Sequence, residues 1–139
     1  VYSVADNIVM VGADLEPYLL LDEDRMALLE HAQAPHSEFV WRMLQFYIDF
    51  YESKTGRRVA GLWDPLAAAV LRDPSLIATS SERPVDVVPS PKGFRALGLR
   101  DRRSDGRFDE RPSVRIVTSV DADRWLDDFV GRLTNPIGV

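Results

Sequence analysis

Apolar positions recur at helical spacing through the first half of the chain and at strand spacing through much of the second. Residues 7–11 (NIVMV) form a short continuous apolar run with β-branched members, bounded by Asp6 and Gly12. That is the pattern of a strand buried on both faces, as in a parallel sheet. The following GADLEP segment, residues 12–17, reads as the loop at the strand's C-terminal end. Asp22 is a good helix N-cap, with Glu23 and Asp24 in the first turn. Met26 and Leu29, with Ala32 after them, would face inward, and Pro35 ends this helix. Ser37 opens a second helix with Glu38 just inside. Phe39, Met43, Phe46 (or Tyr47) and Phe50 recur at helical spacing and make it amphipathic over about four turns, ending near Gly56. Residues 57–62 read as a loop. A third helix starts at Asp64 with Pro65 at its first position. Its LAAAVL body permits close packing, and Asp73-Pro74 stops it.

Beyond Pro84 the period changes. Residues 85–88 and 94–99 read as strands, with a turn over 89–93 between them. Residues 100–112 are polar and charged and read as a surface loop. Residues 114–120 alternate as a strand does. Asp121 caps a last helix whose apolar side is Trp125, Phe129 and Val130. The order of elements indicates an α/β protein. With only about four strands, the first of them buried in character, either the sheet is small or strands lie upstream, and the buried character of the first favours the second. The expectation is therefore the C-terminal part of a Rossmann-like, mostly parallel sheet flanked by helices, and incomplete. Residues 1–139 would form the C-terminal portion of a single domain and expose an apolar sheet edge or face where the rest packs. The chain also opens on Val1 rather than Met, in what reads as the tail of an upstream element.

Composition narrows the function. The chain has 139 residues, a hydrophobic fraction of 45% and a formal net charge of −5. The length suits one domain, and the acidity argues against nucleic acid as the main partner, because phosphate binders show a basic footprint. No cysteine is present, so disulfides, thiolate metal sites and a cysteine nucleophile are excluded, which fits a reducing cytoplasm. No apolar run approaches the ~20 residues a membrane span needs. The N-terminus lacks the basic start of a signal peptide and carries Asp6 and Asn7.

Several sites with faint chemical patterns carry little. His31 and His36 are five apart across Pro35 and do not make a helical metal pair. Asp101, Asp105-Gly106 and Asp109-Glu110 faintly resemble an EF-hand loop, but Arg103 and Pro112 occupy positions that need oxygen ligands. The basic run from Lys92 through Arg95, Arg100, Arg102, Arg103 and Arg107 is interrupted by acids, with Phe94 and Phe108 as its stacking residues, a poor nucleic-acid platform. Asp14 follows a strand at the usual ligand-bearing end of an α/β sheet, where an ordinary turn aspartate is equally at home.

The sharpest feature is residues 60–67, AGLWDPLA. From spacing alone Asp64 is a helix N-cap that puts a carboxylate at the mouth of a helix. Trp63 beside it is packing surface or, if exposed, an indole able to stack on an aromatic ligand. The stretch Gly-Leu-Trp-Asp-Pro-Leu-Ala-Ala-Ala, followed by Arg72-Asp73-Pro74, resembles the C-terminal signature of the inosine-uridine-preferring nucleoside hydrolase family, roughly His-Asp-Pro-x-Ala and then x-Pro. Residues 9–15 (VMVGADL) are similar to the family's apolar strand ending in a Leu-Asp-Val/Leu-Thr loop, with Glu16 where Thr is usual. The helix from Ser37 to Tyr51 and the stretch to Gly56 take the place of the active-site helix and flap. Val85-Asp86-Val87 and residues 114–125 look like the closing strands and last helix. The likeness thus covers nearly the whole chain, through short motifs.

The resemblance implies hydrolysis of the N-glycosidic bond of ribonucleosides to ribose and free base, with Ca²⁺ as cofactor. Asp64 would be the C-terminal calcium ligand. The other acidic ligands and the general base belong to an Asp-rich motif near the family's N-terminus that nothing here matches, so this chain supplies no catalytic residue and would be inactive alone. Trp63 replaces a His thought to protonate the leaving base and resembles the purine-preferring branch, where the indole stacks on the purine. Loss of that His would equally mark a weakened enzyme. Tyr51 and Thr55 fall near the flap as candidate substrate contacts, although packing or solvent exposure is the ordinary role for each. The implied partner is a small-molecule ribonucleoside, with no nucleic acid or membrane, in a cytoplasmic homo-oligomer serving purine salvage. The alternative is a non-catalytic α/β ligand-binding or subunit-interaction module of the same fold.

Overall fold

The structure is a computed structural model that describes residues 7–88, 97–100 and 113–135. Its elements are β1 (Val9–Met10), a 3-10 turn (Ala13–Tyr18), β2 (Leu20–Leu21), α1 (Glu23–Glu30), α2 (Pro35–Thr55), β3 (Ala60–Gly61) and α3 (Trp63–Arg72), then β4 (Ile77–Val88), β5 (Leu97–Arg100), β6 (Ser113–Val120) and α4 (Ala122–Thr134). The turn expected over residues 89–93, the start of the next strand at 94–96, the EF-hand-like stretch and most of the basic run lie outside the described residues.

The mixed α/β class is as expected, but the described strands do not form a mostly parallel sheet. The larger sheet has the order β1-β6-β4-β5. Only β1 and β6 run parallel, while β4 is antiparallel to both β6 and β5. Parallel neighbours need a crossover of a dozen or so residues, usually a helix. No described helix separates β4, β5 and β6, and β5 and β6 lie antiparallel on either side of β4. β1 is an end strand in this order, and Val9 is 40% exposed rather than covered on both faces.

β4 begins eight residues before the strand expected at Val85. Its first part, IATSSERP, is too polar to announce itself by hydrophobic alternation, and its partners explain it. Ile77 to Pro84 pair with β6, and Val85 to Val88 pair with β5. Pro84, which has no N–H to donate, therefore stands where pairing passes from one neighbour to the other. Hydroxyls reinforce the first ladder: Thr79 Oγ1 lies 2.8 Å from Thr118 Oγ1 and 2.6 Å from Ser119 Oγ, and Arg115 Nε donates to Ser80 Oγ at 3.0 Å.

The helices pack on a core that includes Leu19, Leu21, Ile48, Leu66, Leu76, Val117 and Trp125. Asp22 caps α1 as expected, its carboxylate accepting from the Arg25 N–H at 2.9 Å, and Met26 and Leu29 are buried. Arg25 then ties α1 to α4, reaching Asp127 at 2.9 Å and Asp123 at 3.1 Å. Pro35 does not end α1; it starts α2, where a residue without an N–H costs nothing because that N–H would have no helical partner. Ser37, expected to open α2, is its third residue. It is fully buried, and its hydroxyl donates to the carbonyl of Leu133 near the C-terminal end of α4. Asp121 caps α4, accepting from the Arg124 N–H at 3.3 Å.

The apolar stripe read along α2 faces the wrong way. Phe39, Met43, Phe46, Tyr47 and Phe50 are all exposed, Phe46 by 75%. The buried side of the helix is made by Ser37, Leu44, Ile48 and Tyr51. An exposed apolar face thus exists, on a helix rather than only at the sheet edge. The helix ends at Gly56, which takes the left-handed conformation (φ 67°) and donates its N–H to the Glu52 carbonyl at 2.9 Å, as helix-ending glycines do.

Candidate active site

Two short strands that the sequence pattern did not reveal build the site. Residues 57–62 are not all loop: Ala60 and Gly61 pair antiparallel with Leu21 and Leu20. The Leu62 N–H continues this contact by donating to the Leu19 carbonyl at 3.0 Å. The ladder brings the Ala13–Tyr18 turn, the end of α2 and the start of α3 to one place. Two-residue strands leave no periodicity to read, and their Leu21 and Ala60 are fully buried.

Asp64 is not the N-cap of α3. Leu62 is the cap, because its N–H is already used by Leu19 while its carbonyl accepts from Leu66 at 3.3 Å and so begins the helix. The cap and the first helical residue therefore fall two positions earlier, at Leu62 and Trp63, and Asp64 lies in the first turn. Its side chain is exposed and makes no hydrogen bond or ion pair with any described residue. A carboxylate near a helix N-terminus is favoured by the helix dipole, and this one has all its acceptor capacity free.

Trp63 and Asp64 lie together on the wall of a cleft of about 310 Å³, within the size range of small-molecule sites. α2 contributes Met43 and Tyr47, α4 contributes Phe129, and Pro65 completes the rim. Met43 and Tyr47 thus have a place in the site that reading the stripe as core would have hidden, while Phe39, Phe46 and Phe50 are not part of its wall. The cleft is chiefly apolar, with Asp64 as the charged group on its wall.

Tyr51 stands next to this cleft rather than in its wall. It is buried, and its hydroxyl donates to Glu16 Oε1 in the Ala13–Tyr18 turn. Burial, then the hydrogen bond and charge of Glu16, push the Tyr51 pKa well above the ordinary phenol value, so it stays a neutral donor. Thr55 is farther along α2, and its hydroxyl is occupied by the backbone: it donates to the Tyr51 carbonyl at 2.8 Å and accepts from the Arg57 N–H at 3.2 Å. Asp14 is exposed, its carboxylate folded over Gly12. The structure therefore gathers Trp63 and Asp64, sets Tyr51 behind them, and leaves Thr55 at the helix end.

A calcium site needs about six to eight oxygen ligands. Among the described residues no three His, Asp or Glu side chains gather into a metal-holding group. These residues do not by themselves make a calcium cage. What Asp64 offers is a single free carboxylate.

An apolar cleft with an aromatic wall and one exposed carboxylate suits a flat ligand that carries a polar group. The family model described as "Inosine-uridine preferring nucleoside hydrolase" matches residues 1–127, and the chain belongs to that family. Among curated proteins, the inosine-uridine preferring nucleoside hydrolase of Crithidia fasciculata is 25% identical over 104 residues, covering 75% of this chain and 33% of that protein. Among solved structures, a plant nucleoside hydrolase superposes with a TM-score of 0.81 at 20% identity, covering 94% of this chain and 42% of that one. A purine-preferring ribonucleoside hydrolase from Gardnerella vaginalis superposes with a TM-score of 0.70 at 26% identity, covering 92% of this chain and 40% of that one. The chain thus spans between a third and two fifths or so of the length of these relatives. No helix among the described residues is long and apolar enough to cross a membrane.

Proposed function

We propose that this chain is the C-terminal portion of a ribonucleoside N-glycosyl hydrolase, contributing the base-stacking wall and one metal-binding carboxylate of the active site. The observation that carries this reading is the placement of Trp63 and Asp64 side by side on the apolar cleft, the indole half-buried and the carboxylate without an internal partner. In the parent reaction water adds at the ribose C1′ and the N-glycosidic bond breaks, giving ribose and free base. Trp63 stacks on the base as it leaves, and purines, with the larger aromatic face, gain most from it. The likeness to a relative named as purine-preferring supports that choice. Asp64 is one ligand of a Ca²⁺ whose remaining ligands, with the general base, lie outside this chain. Tyr51 acts from behind the stacking wall, and Thr55 borders the flap. The isolated chain binds but does not turn over. The same reading carries the cytoplasmic, homo-oligomeric purine-salvage role inferred from the sequence.

The test is hydrolysis of inosine, guanosine, adenosine and uridine, with Ca²⁺ or EDTA, by the longer parent polypeptide and by this chain in parallel. Calcium-dependent purine release by the parent and none by the chain is the expected result, and Asp64→Ala in the parent should then lose activity by at least about a hundredfold, as removal of a group that stabilises the transition state does. No turnover by a folded parent would move the reading to a non-catalytic module of the same fold. The absence of a metal-holding group among this chain's described residues is the observation that keeps that second reading open.

A further inference from the structure

Gly61 has no side chain because two others occupy its space. A Cβ built on it would lie 2.4 Å from the Tyr51 hydroxyl oxygen and 2.4 Å from Trp63 Cζ3, far inside the ~3.5–4.0 Å of ordinary carbon contact. Its backbone does not demand glycine, since Gly56 is the glycine with positive φ among the described residues. Space alone makes the demand. The hydroxyl and the indole are therefore close neighbours across the Gly61 Cα. The hydroxyl is itself pinned by Glu16, from a different element, the Ala13–Tyr18 turn.

We propose that Glu16 and Gly61 are positioning residues for Trp63: Glu16 holds the Tyr51 hydroxyl, and the bare Gly61 lets the indole settle against it with one face toward the cleft. Neither touches the substrate. Glu16 fixes Tyr51 by hydrogen bonding, Gly61 admits both groups, and Trp63 is left one orientation. This deepens the reading of Trp63 as the purine-stacking residue and rests on it. It also predicts where base preference can be changed without altering the indole itself.

The experiment labels this chain with 5-fluorotryptophan. Trp41, Trp63 and Trp125 give three ¹⁹F resonances, and Trp63→Phe assigns the one that matters. In Gly61→Ala, Tyr51→Phe and Glu16→Ala the Trp63 resonance should move by more than its linewidth, while those of Trp41 and Trp125 stay. Glu16→Gln, which keeps an acceptor, should return it most of the way. Inosine and uridine are then titrated. The wild-type Trp63 resonance should respond to inosine, and Gly61→Ala should raise the inosine midpoint at least tenfold more than that of uridine. An unmoved Trp63 resonance in the three variants overturns the positioning role, whatever the nucleosides do. A resonance that moves in the variants but ignores inosine in the wild type leaves the positioning role standing and sinks the purine-stacking reading. Should Gly61→Ala unfold, the other two substitutions decide the matter.

Discussion

The two long sides of α2 carry the same spacing and opposite fates. Phe39, Met43, Phe46 and Phe50 follow an i, i+4, i+7, i+11 rule and face solvent. Ser37, Trp41, Leu44 and Ile48 follow the same rule two residues earlier, which at 3.6 residues per turn is about 200° around the helix, and they form the packed side with Tyr51. By hydrophobicity alone the exposed stripe is the better core, being three phenylalanines and a methionine, whereas the buried one contains a serine and a tyrosine. What reverses the order is satisfaction of polar atoms. Buried polar groups are tolerated where they are hydrogen-bonded, and the Ser37 and Tyr51 hydroxyls reach Leu133 and Glu16. Periodicity identifies a helix; it does not say which of two stripes lies inside when the deciding partners lie 35 and 96 residues away.

Truncation on each side is the most direct way to break this comparison. Ile48 is fully buried in the main cluster, so Ile48→Ala should cost about 2–5 kcal/mol by loss of buried surface and the cavity left behind. Urea unfolding followed by circular dichroism would measure it, and a cost under about 1 kcal/mol would mean the packed side has been misidentified. Ser37→Ala comes next. It leaves the Leu133 carbonyl, one of the last in α4 and so without a helical partner, short of a donor in a buried place, at about 1–2 kcal/mol. A neutral result there would remove the argument that hydroxyl satisfaction selects the face.

The same contrast explains how far the rest was legible. Elements with local signatures were readable from the chain: the Asp22 and Asp121 caps, the Gly56 stop, the buried Met26 and Leu29, and the alternation of β6. Elements defined by distant partners were not. β2 and β3 are two residues each and exist because they pair with one another. The first eight residues of β4 are mostly polar, and a distant strand supplies their ladder. The site divides likewise. Trp63 and Asp64 stood out through their resemblance to a family signature, but the cap assignment failed because the Leu19 carbonyl, more than forty positions away, engages Leu62. The packing of Glu16 and Gly61 against Tyr51 and Trp63 could not be read from the chain, since the short ladder between β2 and β3 is what brings them together.

Acid offers a gentler probe, because it acts on the charged surface of α3 and α4 and leaves α2's stripe untouched. The Ser75 hydroxyl and N–H, with Arg124 and Arg72 nearby, hold Asp73 below the usual carboxylate range, and Arg132 with Arg72 does the same for Asp128. A carboxylate with a depressed folded pKa contributes stability that is present above its unfolded pKa of ~3.9 and is lost as pH falls through the folded value. Stability should therefore decline gradually below about pH 4, by a modest amount because both groups lie near the surface. Asp128→Asn, which can no longer titrate, should flatten part of that slope in denaturation curves taken from pH 6 to pH 3.

The smallest effect belongs to Phe46→Ala, and its smallness is what gives it weight. If Phe46 were core, truncation would cost about 3–5 kcal/mol, as for phenylalanines in packed interiors. With the ring 75% exposed, little apolar surface returns to water when it is removed. Alanine is also the better helix former by a few tenths of a kcal/mol. The two terms nearly cancel, so stability should change by no more than about 0.5 kcal/mol, the range of surface substitutions. The double variant with Ile48→Ala should be additive, because Phe46 and Ile48 lie on different sides of the helix. Urea melts of the two single variants and the double would check both points. A large loss at Phe46, or a coupling above about 0.5 kcal/mol with Ile48, would mean that the aromatic stripe is packed in solution and that the two sides of α2 differ less than their exposure implies.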